Sequence, residues 1–228
     1  PDQKVAVATL LVQQGNASRA QQLIETIPSP SANAQLVLAA SLRAQGNHDR
    51  AYEIYRELAN TKPSLTTIRT LADFQESRGL RQEAEATLAL LDKLGLKPGA
   101  KEGIIGEFLA SHGRREESMQ KFRESVKLAP EMAPSWRALA AQLFVSGKPD
   151  EAIATAAEGL QVVKQDAVLE GIGKHAELLK AASSEPSLHA LGLALIANPG
   201  DANIASALRA LFDARKAPSD AKALAATL

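Results

Sequence analysis

The chain has 228 residues, 45% hydrophobic and 23% charged, which suits one large folded domain or an array of small units. Its 26 Lys and Arg balance 26 Asp and Glu, so no basic excess favours nucleic acid or an anionic membrane surface. Cysteine is absent, which excludes disulfides, thiolate nucleophiles and Cys-based zinc sites and is compatible with either periplasm or cytoplasm.

Aromatic residues are only 4%, so the core is expected to be built from Leu, Ala, Ile and Val, a palette suited to closely approaching helices. No apolar run approaches the roughly 18 residues of a membrane-spanning helix, and no signal peptide is visible. The chain opens on PDQKVAV without a methionine, which leads us to expect that targeting segments are missing from it.

Five glycines are each followed, five positions on, by a small residue. The pairs are Gly15 and Ala20, Gly46 and Ala51, Gly79 and Ala84, Gly113 and Ser118, and Gly147 and Ala152. The intervals between the glycines are 31, 33, 34 and 34 residues. Seven before each Gly stands a small residue: Ala8, Ala39, Ala72, Gly106 and Ala140. Eight before stands an apolar one: Val7, Leu38, Leu71, Ile105 and Leu139. Four before stand Leu11, Leu42, Gln75, Leu109 and Leu143, apolar in four of the five. Nine after stand Ile24, Tyr55, Leu88, Phe122 and Ala156, and Pro63 and Pro130 follow at seventeen.

These columns have one physical reading. The 3,4 spacing marks a helix that ends near each Gly, and Gly supplies its left-handed cap. A second helix follows, with acids in its first turn at Glu116 and Glu117 and at Asp150 and Glu151. A small residue in each helix lets the pair approach closely, and proline closes the unit. A hairpin of this size cannot bury its own apolar face, so it must stack on its neighbours.

The pattern resembles the tetratricopeptide repeat (TPR). The small residues of both helices and the closing Pro63 and Pro130 carry the resemblance, and WRALAAQLFVSGKPDEAIATA, from Trp136, follows the family's order of residues most closely. The resemblance implies an all-α, right-handed superhelical solenoid of antiparallel helix hairpins. About seven repeats are expected, the last two degenerate: five over residues 1–165, then two degenerate ones or a helical cap over 166–228, in one continuous solenoid. In the last stretch, Leu191, Ala194, Pro199 and Ala221 fall in repeat columns, and Gly171 and Gly173 weaken the first helix of repeat six. The final repeat stops inside its second helix, so the natural protein is expected to continue past Leu228. Pro98 falls late, at nineteen after Gly79, which predicts a longer second helix in repeat three and a compressed first helix in repeat four.

Residues for chemistry are sparse. His48, His112, His175 and His189 lack the i,i+4 partner of a helical metal pair, and His112 stands where a helix C-terminus favours it. Paired acids sit in first turns as dipole partners. Each Gly follows a helix, whereas a phosphate-binding Gly run follows a strand. The sequon at Asn16 coincides with a turn that favours Asn and Ser anyway. The expectation is a non-enzymatic chain without cofactor or metal.

In the resembled family the first helices line a concave groove that holds partner segments. Carried over column by column, the candidate partner-binding residues are Asn33 and Arg43 of repeat two, Arg69, Asp73 and Glu76 of repeat three, Glu107 of repeat four, and Arg137 and Phe144 of repeat five. Leu36, Ala40, Ala44, Thr66, Ser77, Gly103, Ala141 and Val145 share those columns. The result is a mixed-charge face with an acidic centre. Two blander readings stand beside it: Arg69 and Asp73 pair only with each other, and Phe144 packs between repeats.

Two specialisations of the family lack their residues here. The carboxylate-clamp columns carry Val5, Thr9, Leu36 and Ala40, and the Asn-ladder column carries Ala6, Val37, Thr70, Ile104 and Ala138. The expected function is a protein-interaction scaffold for a protein or peptide segment, without nucleic acid or membrane insertion. The alternatives are an adaptor segment of a longer bacterial cell-envelope or polysaccharide-export protein, and the repeat part of a chain with a separate catalytic domain.

Overall fold

The computed structural model describes residues 2–182; the expected repeat residues beyond them, Leu191 to Ala221, lie outside the described residues. Within this range the regular elements are helices and no strand occurs. They are α1 (Asp2–Gln13), α2 (Ala17–Glu25), α3 (Ala32–Ala44), α4 (His48–Thr61), α5 (Leu65–Ser77), α6 (Arg81–Leu88), α7 (Ala100–Ser111), α8 (Arg115–Leu128), α9 (Ala133–Val145), α10 (Pro149–Val163) and α11 (Ala167–Ala182). The chain divides into two compact units, Pro1–Leu96 with α1 to α6 and Lys97–Leu228, whose described part carries α7 to α11.

Each of the five glycines sits at the centre of a three-residue turn between paired helices. All five take φ between 71 and 83°, the left-handed conformation that a side chain disfavours. The amide after each Gly then donates to the carbonyl four residues before that Gly: Asn16 to Leu11, Asn47 to Leu42, Leu80 to Gln75, Arg114 to Leu109 and Lys148 to Leu143, all at 2.8–3.0 Å. This closing bond satisfies a carbonyl that the helix end would leave open. Because it is a backbone bond, the residue after Gly is free to vary. Where a longer link precedes a first helix, side chains take over. Ser31 accepts from the Ala34 amide to start α3, and Ser64 and Thr67 form a reciprocal box at α5.

In the first unit, Val5 and Ala8 of α1 pack with Ala20 and Ile24 of α2 and with Ala34 and Val37 of α3. A second cluster joins Ala39 and Leu42 to Ala51, Tyr55 and Ala59 of α4 and to Leu71 and Phe74 of α5. The Phe74 ring stacks on Tyr52 at 5.9 Å and tilts against Tyr55 at 5.5 Å. Leu71 and Phe74, eight and five before Gly79, therefore carry the contact to the preceding repeat. In the second unit, Met119, Phe122 and Val126 of α8 pack with Trp136, Leu139, Ala140 and Leu143 of α9, and with Ala152 and Ala156 of α10. Leu169 and Ala176 of α11 complete this core. A fully buried side chain of this kind contributes about 1.5–3 kcal/mol.

The small columns are fully enclosed: Ala8, Ala39, Ala72 and Ala140 on the first helices and Ala20, Ala51, Ala84, Ser118 and Ala152 on the second have no exposed surface. Trp136 donates its indole N–H to the Pro130 carbonyl at 2.7 Å, fixing the closing turn to α9. Its ring also lies where a Cβ on Gly159 would come within 3.1 Å.

Repeat three differs from the expectation of a longer α-helix. After α6 the backbone tightens into a 3-10 helix over Ala89–Leu94. Its greater rise, about 2.0 Å per residue, lets the segment reach further than α-helix of equal length. The next first helix is hardly compressed: α7 has 12 residues against 13 in α3, α5 and α9. Gly99, just before α7, has φ 78° and packs on Ala129 and Ser125, where a Cβ would come within 2.8 Å. α11 runs unbroken through Gly171 and Gly173 and packs on both α9 and α10.

Candidate binding face on the first helices

In the first unit the candidate residues lie on α3 and α5. Asn33 stands at the start of α3 and Arg43 in its last turn, both exposed, so they mark the two ends of one helix face. Arg69, Asp73 and Glu76 are brought together on one face of α5 by their 4 and 3 spacing. Arg69 and Asp73 are half-buried. The Glu76 side chain is only 6% exposed, with Oε1 3.5 Å from Nε of Arg81 at the start of α6.

In the second unit Glu107 is exposed on α7. Arg137 and Phe144 lie two turns apart on α9. Phe144 is half-buried and packs on the α8–α10 core. Gly103, which shares the candidate columns, is buried against Ser135 and Ser125 and lines no open face.

Arg137 has a partner that the repeat columns do not contain. Its Nε donates to Oδ2 of Asp166 at 2.7 Å, and Nη2 approaches the same oxygen at 2.7 Å. The other oxygen, Oδ1, accepts from the amides of Val168 and Leu169, each at 3.1 Å, and so caps α11. The hydrogen bond from Arg137 holds the Asp166 carboxyl below its ordinary range, against the opposing push of burial, with help from the Leu169 amide. In the first unit, burial raises the pKa of the Tyr55 phenol, and the positive charge of Arg43 partly offsets it.

Sequence reasoning missed two further sets of polar residues. Gln75, the one polar member of its column, is buried and accepts from the Thr87 hydroxyl at 2.7 Å. Its amide also reaches the Tyr52 hydroxyl at 3.4 Å, which donates to Glu83 at 2.7 Å. Ser125 and Ser135 share a buried hydroxyl contact at 2.6 Å, and Ser125 donates to the Gly99 carbonyl at 2.7 Å. Asp166 did carry a readable signal, an Asp three residues ahead of Leu169 at the start of an apolar run.

Among the described residues no cluster of three His, Asp or Glu side chains could hold a metal ion, and no helix is long and apolar enough to cross a membrane. His112 caps α7 and bonds the Phe108 carbonyl at 2.8 Å.

No family model and no curated protein matches the chain. Solved structures do match it. The C-terminal part of a TPR repeat-containing protein from Cytophaga hutchinsonii is 13% identical, with a TM-score of 0.54 over 98% of this chain and 93% of that one. PilF of Pseudomonas aeruginosa is 18% identical, with a TM-score of 0.51 over 94% of this chain and 97% of that one. At such identities it is the fold that is shared. The chain has the all-α helical-repeat fold of the tetratricopeptide-repeat proteins.

Proposed function

We propose that this chain is a non-catalytic protein-interaction scaffold whose first-helix faces bind a partner protein segment carrying both charges. One observation carries the reading. The repeat columns that hold the hairpins together are buried, whereas Asn33, Arg43, Glu107 and Arg137 on the first helices stay exposed. A face outside the apolar core that carries charges of both signs can discriminate partners by complementarity. Arg69 and Asp73, half-buried on α5, add groups held in fixed positions.

The test compares wild type with a variant in which Arg43, Arg69, Asp73 and Glu107 are all alanine. Glu76 is left intact because its carboxylate is buried beside Arg81. Affinity capture from source-cell extract should recover a partner with wild type that the variant loses, at an unchanged circular dichroism spectrum. A partner held equally by both would place binding elsewhere on the molecule.

A further inference from the structure

We propose that α11 is a latch on the α9–α10 hairpin, held shut by the Arg137–Asp166 ion pair and released when an acidic ligand segment takes Arg137. The closed half stands on geometry alone; the released half rests on the first-helix face being the binding face.

The link from α10 to α11 is strained. Lys164 has φ 48° and ψ 139°, and Gln165 has φ 53°, so two consecutive non-glycine residues occupy conformations that side chains disfavour. Such a backbone persists only where its surroundings hold it. The next residue is Asp166, its side chain 1% exposed, with one oxygen given to Arg137 and the other to the first amides of α11. A single carboxylate thus anchors the strained link and starts the helix.

The helix itself is weakly determined. Gly171 and Gly173 lie in its interior, yet among the described residues a Cβ on Gly171 would meet nothing within 4 Å, and one on Gly173 would make only ordinary contact with Ala156. Packing among the described residues therefore does not demand glycine at either place, and both lower helix stability. Against this stand Leu169 and Ala176, fully buried against the α9–α10 core. Docking of α11 is thus favoured by burial and opposed by its own backbone.

The release lies at Arg137. Its side chain remains 44% exposed while paired, so an incoming carboxylate can reach the guanidinium without prior opening. A carboxylate that takes those donors leaves Asp166 buried without its cation, which is costly. Ligand on Arg137 and docked α11 then oppose each other, and by linkage each weakens the other.

Amide hydrogen exchange on the full chain tests this. Arg137→Ala should speed exchange at Val168, Leu169 and the following α11 amides by roughly tenfold, with α8 amides unchanged. Gly171→Ala should slow the same amides about threefold or more. Hexaglutamate at millimolar concentration should speed them in wild type and have no effect in Arg137→Ala. Unchanged α11 exchange in Arg137→Ala, or an equal rise throughout α8, would overturn the latch. Faster exchange in that variant with no response to hexaglutamate in wild type would overturn the release by ligand. The variant comparison involves no partner, so it stands or falls independently of the scaffold reading.

Discussion

Ser118 donates its hydroxyl proton to the Gly106 carbonyl at 2.8 Å, so the small residue of one helix is bonded directly to the small residue of its hairpin partner. Phe122 fills the column that holds Ile24, Tyr55, Leu88 or Ala156 elsewhere, and its ring lies against Gly106. A Cβ on Gly106 would come within 2.8 Å of the ring. Gly106→Ala should therefore destabilise by about 1–3 kcal/mol, the usual cost of overpacking. Thermal unfolding followed by circular dichroism should show the loss, and Phe122→Leu in the same background should recover part of it. Additive losses in the double variant would contradict the steric account.

The enclosed second-helix columns make a related prediction at Ala84 and Ala152, neither with any exposed surface. Leucine at either should force the two helices apart and cost about 1–3 kcal/mol. Ala86, two residues on from Ala84, is exposed, so Ala86→Leu serves as the control and should leave the melting temperature nearly unchanged. Equal effects at Ala84 and Ala86 would mean that the repeat register is displaced.

The hairpins were legible because their determinants are local and recur. Gly at a left-handed cap and small residues at the helix crossing each act within one repeat and recur in five copies, and proline closes two of them, so one signal is reinforced. The 3-10 segment after α6 was not legible, because ALLDKL carries apolar residues at a spacing that serves either helix type. Neither was the Arg137–Asp166 pair, whose members stand 29 residues apart in different repeats. Column reasoning assigned Arg137 to a first helix, but could not see which carboxylate the fold delivers to it. Likewise Glu76 falls in an outward column by spacing, and only the approach of Arg81 across the turn shows it to be buried.

Gln75 looks like an error in an apolar column, yet its side chain is the acceptor for Thr87. Gln75→Leu would restore the column and leave the buried Thr87 hydroxyl without that acceptor. The expected loss is about 1–3 kcal/mol, the desolvation cost of an unsatisfied polar group. Adding Thr87→Val should remove the orphaned hydroxyl and recover most of the loss. A double-mutant cycle on urea denaturation measures the coupling. A single substitution that stabilises by itself would mean that the apolar column outweighs the network.

The Asp166 carboxylate predicts a pH dependence with a definite sign. Its folded-state pKa lies below the ordinary value of 3.8, chiefly through the hydrogen bond from Arg137. The ionised form is thus favoured by folding, and its contribution is fully present above the unfolded pKa and lost as pH falls through the folded one. Asn in this place can still accept from the helix amides but carries no charge for Arg137. Wild type should therefore exceed Asp166→Asn in urea midpoint at about pH 7, and the gap should close progressively below about pH 4. Trp136 is the sole tryptophan and shares a core cluster with Leu169, so its fluorescence reports unfolding of the relevant unit. A gap that stays constant through the acid range would show that Asp166 stabilises α11 as a cap alone, with no contribution from its charge.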